Sequence, residues 1–214
     1  MLLDVFGALL SLVATYYFIR ISSKAWTASL LAIILNMYLY WQKGIYADSL
    51  LEGFYFFSTC YGLYRWVREG NQQSKTVVSL SLKQNIFLVM ATSLIFLLIA
   101  LFLMGFTQSD VVILDALTTA LSLVAQGLMC YKIIQTWLLW LITDSLYAYM
   151  YLKKDILFHS GLMLLYTIMA IVGYYSWKKQ QLDSQKQTFT AMDYKKERSP
   201  RREENSQNCT NLHS

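Results

Sequence analysis

Two acidic side chains sit inside apolar stretches. Glu52 lies about one and a half turns into a run that begins near residue 47, and Asp144 falls near the middle of another at 135–152. A carboxylate within an apolar helix is expensive and marks a functional site with a partner. The bland alternative is a structural carboxylate satisfied by a neighbouring Tyr or Ser. The company these two keep favours function. Trp140 and Asp144 are spaced i,i+4 and share a helix face, which Tyr147 and Tyr151 extend. Asp48, Glu52 and Tyr55 form a similar stripe. A carboxylate beside aromatic faces in a dry pocket suits a flat, cationic organic ligand. The ring quadrupole attracts the cation, and the carboxylate supplies charge or accepts a hydrogen bond.

No competing chemistry is visible. There is no Walker loop, no G-x-G-x-x-G and no G-x-S-x-G, so no catalytic residue or nucleotide-driven pump is expected. His159 and His213 lie far apart, and Cys60, Cys130 and Cys209 form neither a disulfide framework nor a zinc spacing. No metal and no cofactor is expected.

The elements that must position these residues follow from composition. The 214 residues are 56% hydrophobic and 14% charged, against ~25% charged in soluble domains. Asn85–Gln108 carries no ionisable side chain and is long enough to cross a bilayer. These features exclude a soluble enzyme, a secreted disulfide scaffold and a disordered chain. Apolar runs between polar breaks predict seven transmembrane helices, at about 2–19, 25–41, 47–66, 84–106, 110–130, 135–152 and 156–177. Met-Leu-Leu-Asp lacks the basic start of a cleavable signal, and the polar tail 179–214 is expected to be disordered. The net charge of +5 resides largely in that tail and in loops beside hydrocarbon, which argues against nucleic-acid binding.

The chain also repeats itself. A shift of 111 residues superposes LSLVA at 10–14 on LSLVA at 121–125, Trp26 on Trp137, Tyr55 on Tyr166, and Gly62, Tyr64 and Trp66 on Gly173, Tyr175 and Trp177. Roughly twenty of the 64 pairs from Leu3/Leu114 onward are identical without a gap. The expected architecture is therefore an all-α polytopic membrane protein of two parallel three-helix repeats joined by a connector helix. Its parts are a first repeat at 1–68, a loop and connector at 69–109, a second repeat at 110–178 and the tail at 179–214. Parallel repeats of this kind are a transporter architecture. Basic residues gather in the loops after the first, third and fifth helices and in the tail. The N-terminus is thus expected outside and the tail in the cytoplasm. Polar residues that break the repeat are the better site candidates, because a ligand is asymmetric. Glu52 faces Met163, Asp144 faces Ile33, Asn36 faces Tyr147, Gln42 faces Lys153 and Trp140 faces Ser29.

On these residues a resemblance can be stated. NMYLYWQKGIYADSLLEGFYFFSTCYGLYRW at 36–66 resembles the helix 2–3 signature of the PnuC-type nicotinamide riboside transporters. So does WLLWLITDSLYAYMYLKK from Trp137, followed by GYYSW at 173–177. The resemblance covers almost all of residues 1–180. It implies a three-plus-one-plus-three fold similar to SWEET sugar transporters, a homotrimer in the inner membrane, and facilitated diffusion of a small vitamin-like substrate. That substrate would be trapped by a cytoplasmic kinase and would feed NAD synthesis. The family's W-x-x-x-N/D element matches Trp140 and Asp144, and its aromatic-Trp-Gln segment matches Tyr40, Trp41 and Gln42, followed by Tyr46. Where the family pattern has Gln, this chain has Glu52. The expected substrate site comprises Asn36, Trp41, Gln42, Tyr46, Asp48, Glu52, Tyr55, Trp140, Asp144, Tyr147 and Tyr151. The expected substrate is nicotinamide riboside, with thiamine as the alternative within the family. A heptahelical signalling or assembly protein is the alternative of a different class.

Overall fold

The apolar runs become seven α-helices: α1 Leu2–Ile19, α2 Lys24–Gln42, α3 Tyr46–Gly70, α4 Leu82–Phe106, α5 Val112–Cys130, α6 Thr136–Lys153 and α7 Leu157–Asn211. The computed structural model describes the backbone of residues 2–42, 46–70, 77–106, 112–153, 155 and 157–211; side chains are described except at 2–4, 46–48, 50, 70, 106, 188 and 191–211. The helix ends fall within a few residues of the expected spans until α7. There the expectation of a disordered tail is corrected, because the helix continues to Asn211. Gln, Lys, Glu and Arg dominate that segment and are good helix formers even where nothing apolar drives packing. The chain divides into two compact units, Met1–Lys178 and Lys179–Ser214, and the first holds everything described below.

Among the described residues, Leu82–Gly105, Val112–Cys130 and Leu157–Gln187 are long and apolar enough to cross a membrane on composition alone, and Val5–Ile19 is a shorter apolar stretch. α2, α3 and α6 are diluted by the polar residues that face an internal cavity. α4 opens on a capping box: Ser81 N–H donates to Gln84 Oε1 at 2.8 Å, and Gln84 N–H donates to Ser81 Oγ at 3.4 Å. From there α4 packs along α5.

The sequence repeat is repeated in bonding. α1 and α5 both end in a Schellman turn, with Ile21 (φ 48°) and Lys132 (φ 53°) in the left-handed region. Ile21 N–H donates to Phe18 O and Ser22 N–H to Tyr17 O, both at 3.0 Å. In the second copy Lys132 N–H donates to Met129 O and Ile133 N–H to Leu128 O, both at 3.1 Å. Ser49 Oγ donates to Met37 O at 3.2 Å, and its counterpart Ser160 Oγ donates to Ala148 O at 2.9 Å. Each of these partners lies 111 residues from its mate.

Four tryptophans hold the copies together. Trp26 packs edge-on against Trp66 with centroids 5.5 Å apart, and Trp137 packs edge-on against Trp177, also at 5.5 Å. Trp66 and Trp177 meet at 6.3 Å. Trp66 Nε1 donates to Cys130 O at the end of α5 (3.3 Å), while Trp177 Nε1 donates to Phe18 O at the end of α1 (3.0 Å). Each half therefore closes the helix end of the other. Trp26 and Trp137 instead contribute packing, and their indole N–H groups are buried without a hydrogen-bond partner. An unmade bond of this kind costs about 1–3 kcal/mol, which tight packing of the rings must offset. Glycine makes that packing possible, since a Cβ at Gly62 would fall on the Trp26 ring and one at Gly173 on the Trp137 ring.

Gly62→Ala and Gly173→Ala should each destabilise the fold by roughly 1–3 kcal/mol through overpacking. Gly53→Ala, which opens onto free space, should be neutral. Thermal unfolding of the detergent-purified protein checks this, and equal melting temperatures for all three variants would contradict it.

Candidate functional site

Six helices place one stripe each around an internal cavity of about 400 Å³. The stripes have helical spacing: Ser11, Thr15 and Phe18 on α1; Ser29, Ile33 and Asn36 on α2; Glu52, Tyr55 and Thr59 on α3. Ser122, Gln126 and Met129 on α5, Trp140, Asp144 and Tyr147 on α6, and Met163, Tyr166 and Ala170 on α7 complete the wall. The last nine residues are the first nine shifted by 111. The cavity therefore lies on the approximate symmetry axis relating the halves, and its size is that of a small-molecule site.

Part of this wall is symmetric. The Tyr55 hydroxyl lies beside Ser122, and the Tyr166 hydroxyl lies beside Ser11, the same pair with the halves exchanged. The rest is not symmetric. Asn36 Nδ2 donates to Glu52 Oε1 at 3.3 Å, whereas the equivalent positions hold Tyr147 and Met163. Gln126 Nε2 donates to Thr59 Oγ1 at 3.1 Å and so ties α5 to α3 across the two halves. Asp144 is 9% exposed, lies near Tyr166, and its carboxyl makes no hydrogen bond among the described residues. A buried carboxyl with open acceptor sites, on a wall that also carries Trp140 and Tyr147, is equipped to receive a donor or a cation from a ligand. Among the described residues, no cluster of His, Cys, Asp or Glu is placed to hold a metal.

The structure brings together six of the residues that the sequence marks: Asn36, Glu52, Tyr55, Trp140, Asp144 and Tyr147. Tyr151 stands one turn on and stacks against Tyr147, with centroids 6.2 Å apart and planes 21° from parallel. Trp41 and Gln42 do not line the cavity; both are exposed, Trp41 to 60%. At ~100° per residue they lie ~140° and ~120° around α2 from Asn36, so the helix that presents Asn36 turns them away. The side chains of Tyr46 and Asp48 lie outside the described residues. Reasoning from sequence missed Ser11, Thr59, Ser122, Gln126 and Tyr166. The signal for Ser11, Ser122 and Tyr166 was their identity across the repeat, which was taken as a mark of scaffold alone.

Comparison with known proteins agrees with this geometry. No curated protein sequence matches the chain. A solved structure described as the crystal structure of the Vitamin B3 transporter PnuC superposes with a TM-score of 0.68 at 19% identity, covering 85% of this chain and 82% of that one. The seven-helix fold is therefore shared with that transporter. The family profile described as Nicotinamide mononucleotide transporter matches residues 1–179, the whole of the unit that holds the cavity, and the chain belongs to that family of membrane transporters.

Proposed function

We propose that the protein carries nicotinamide riboside, a flat pyridinium nucleoside, into the cytoplasm by facilitated diffusion. The observation that carries this reading is Asp144, a buried carboxyl without a hydrogen-bond partner among the described residues, on a cavity wall with Trp140 and Tyr147. The pyridinium would lie against these rings, with Asp144 as acceptor or counter-charge and Asn36 and Glu52 meeting the carboxamide and hydroxyls. The described lining also favours the riboside over its phosphorylated form. It contains Glu52 and Asp144 but no Lys or Arg, and a phosphate would meet only negative charge there.

The excess of Lys and Arg in the tail and on the loops after α1, α3 and α5 supports an N-terminus outside and a cytoplasmic tail in an inner membrane. The family resemblance supports a homotrimer and a cytoplasmic kinase that makes uptake one-way by phosphorylating the substrate. No nucleotide-binding motif supplies energy to this chain. A fixed cationic substrate can itself neutralise a cavity carboxylate, which removes the need for a coupling ion.

Calorimetry on purified protein, with the riboside, its mononucleotide, thiamine and riboflavin side by side, should find the riboside bound most tightly. Asp144→Ala should weaken that binding by roughly 10–100-fold, the loss of about 1.5–3 kcal/mol for a hydrogen bond to a charged group, and Asp144→Asn should be milder. Unchanged affinity in Asp144→Ala would overturn the assignment. In proteoliposomes free of kinase, internal and external riboside should equalise and stay equal when a proton or sodium gradient is imposed. Accumulation under either gradient would refute uniport. With Cys60, Cys130 and Cys209 replaced, Ser184→Cys should react with an impermeant thiol reagent only after the cells are opened. Labelling of intact cells would reverse the orientation.

A further inference from the structure

We infer that Gly7, which lies outside the cavity lining, is a positioning residue for the substrate site. Its missing side chain lets Asn36 seat its amide so that Nδ2 donates to Glu52, and this clamp aims the Glu52 carboxylate at a cationic substrate. The identity of that substrate rests on the riboside reading above. A Cβ on Gly7 would stand 2.9 Å from Asn36 Oδ1, inside ordinary contact distance. The amide oxygen thus lies against the bare backbone of α1, and the amide nitrogen is left for Glu52 Oε1 at 3.3 Å.

All three residues break the repeat, and they break it together. Their counterparts are Thr118, Tyr147 and Met163. Thr118 carries the Cβ that Gly7 lacks, and its hydroxyl bonds the carbonyls of Leu114 and Asp115 in its own helix at 2.9 and 3.1 Å. Tyr147 lies stacked along Tyr151, and at Met163 there is no carboxylate to orient. Gly, amide and carboxylate occur as a set only in the first half; the second half carries its cavity carboxylate, Asp144, on α6 instead. The donor is a neutral amide, so this bond orients the carboxylate without itself supplying a counter-charge. A Lys or Arg at position 36 would orient Glu52 equally well and neutralise it.

The test is a double-mutant cycle on the full chain between Gly7→Ala and Glu52→Met, which removes the acceptor by installing the residue of the other half. The Ala methyl would crowd only the mobile end of Asn36 and make an ordinary contact with Leu35 at 3.6 Å, so Gly7→Ala should fold. The cycle is read by thermal unfolding without ligand and by the affinity for nicotinamide riboside and for its neutral dihydro form. Gly7→Ala should weaken binding of the cationic riboside about tenfold and of the neutral form far less, as expected for loss of a charge-directed contact. In the Glu52→Met background it should change neither affinity, and the two melting shifts should be non-additive. Equal losses with and without the Glu52 carboxylate would show that Gly7 acts by packing alone and would overturn the inference. If the wild-type protein bound no riboside, the substrate reading would fail. The ligand-free cycle would still decide the clamp, with additive melting shifts against it and coupled shifts in its favour.

Discussion

The rest of this structure depends on an exchange of two hydrogen bonds. A helix end leaves carbonyls without intrahelical partners, and a buried one must find donors elsewhere. At the ends of α1 and α5 the Schellman turns satisfy some of them, and an indole N–H from the other half is supplied at each end, by Trp177 to Phe18 and by Trp66 to Cys130. Neither half completes its own helix end. The two halves must therefore close around one another, with Trp66 and Trp177 in contact at the seam. The cavity is the space left between halves held in this way. The glycines under Trp26 and Trp137 belong to the same device, since they admit the rings that fill the remaining volume.

Closure of duplicated halves has a consequence for the site. Any lining residue shared by both copies appears twice, on opposite sides of the axis, as Tyr55 with Ser122 and Tyr166 with Ser11 do. Had the duplication stayed perfect, Glu52 and Asp144 would each have a mate and the cavity would hold four carboxylates. Met163 and Ile33 stand at those places instead. Two acidic groups on non-equivalent helices are a far smaller electrostatic cost than four in one low-dielectric space. They also make the cavity polar in a direction, which an asymmetric ligand requires. Symmetry supplies the frame, and the departures from it supply recognition.

The helices were legible in the sequence because bilayer spans leave long apolar runs, and the repeat because Trp26, Gly62 and Trp66 recur at one fixed offset. Five cavity residues were legible as carboxylates, an amide or aromatics that break the repeat, and Tyr55 was legible as sharing a helix face with Glu52. Trp41 and Gln42 fall outside the cavity because a family-like segment is a linear motif, whereas the cavity selects one helix face. The periodicity of α2 shows that Asn36 and Trp41 cannot share a face. Ser11, Ser122 and Tyr166 were passed over because identity across the repeat looked like scaffold. They are scaffold, but they also line the cavity, since a cavity on a symmetry axis is walled by both kinds of residue. The helical continuation of α7 was hidden by its composition, for the same Gln, Lys and Glu that deny a segment a core also favour helix.

The two equivalent turns are not held equally, and this bears on how a transporter of this build can move. Beyond its Schellman bonds, the α5–α6 turn is strapped by the segment before α4. Val78 N–H donates to Lys132 O at 3.0 Å, and Ile134 N–H donates to Val78 O at 2.9 Å. Lys132, itself buried, pairs with Glu69 at 2.7 Å, and Glu69 pairs with Arg65 at 3.1 Å. Among the described residues, the α1–α2 turn receives the Trp177 bond and a bond from Ser176 Oγ to Ile19 O at 3.3 Å, with no comparable strap or ion pair. A shift of one half against the other must strain the contacts at this seam, and fewer bonds resist it at the α1–α2 end. α1 is also the helix that carries Gly7, against which Asn36 is seated. The less tied turn thus ends the helix whose other end seats the amide that orients a cavity carboxylate, and displacement of α1 as a rod would move both together.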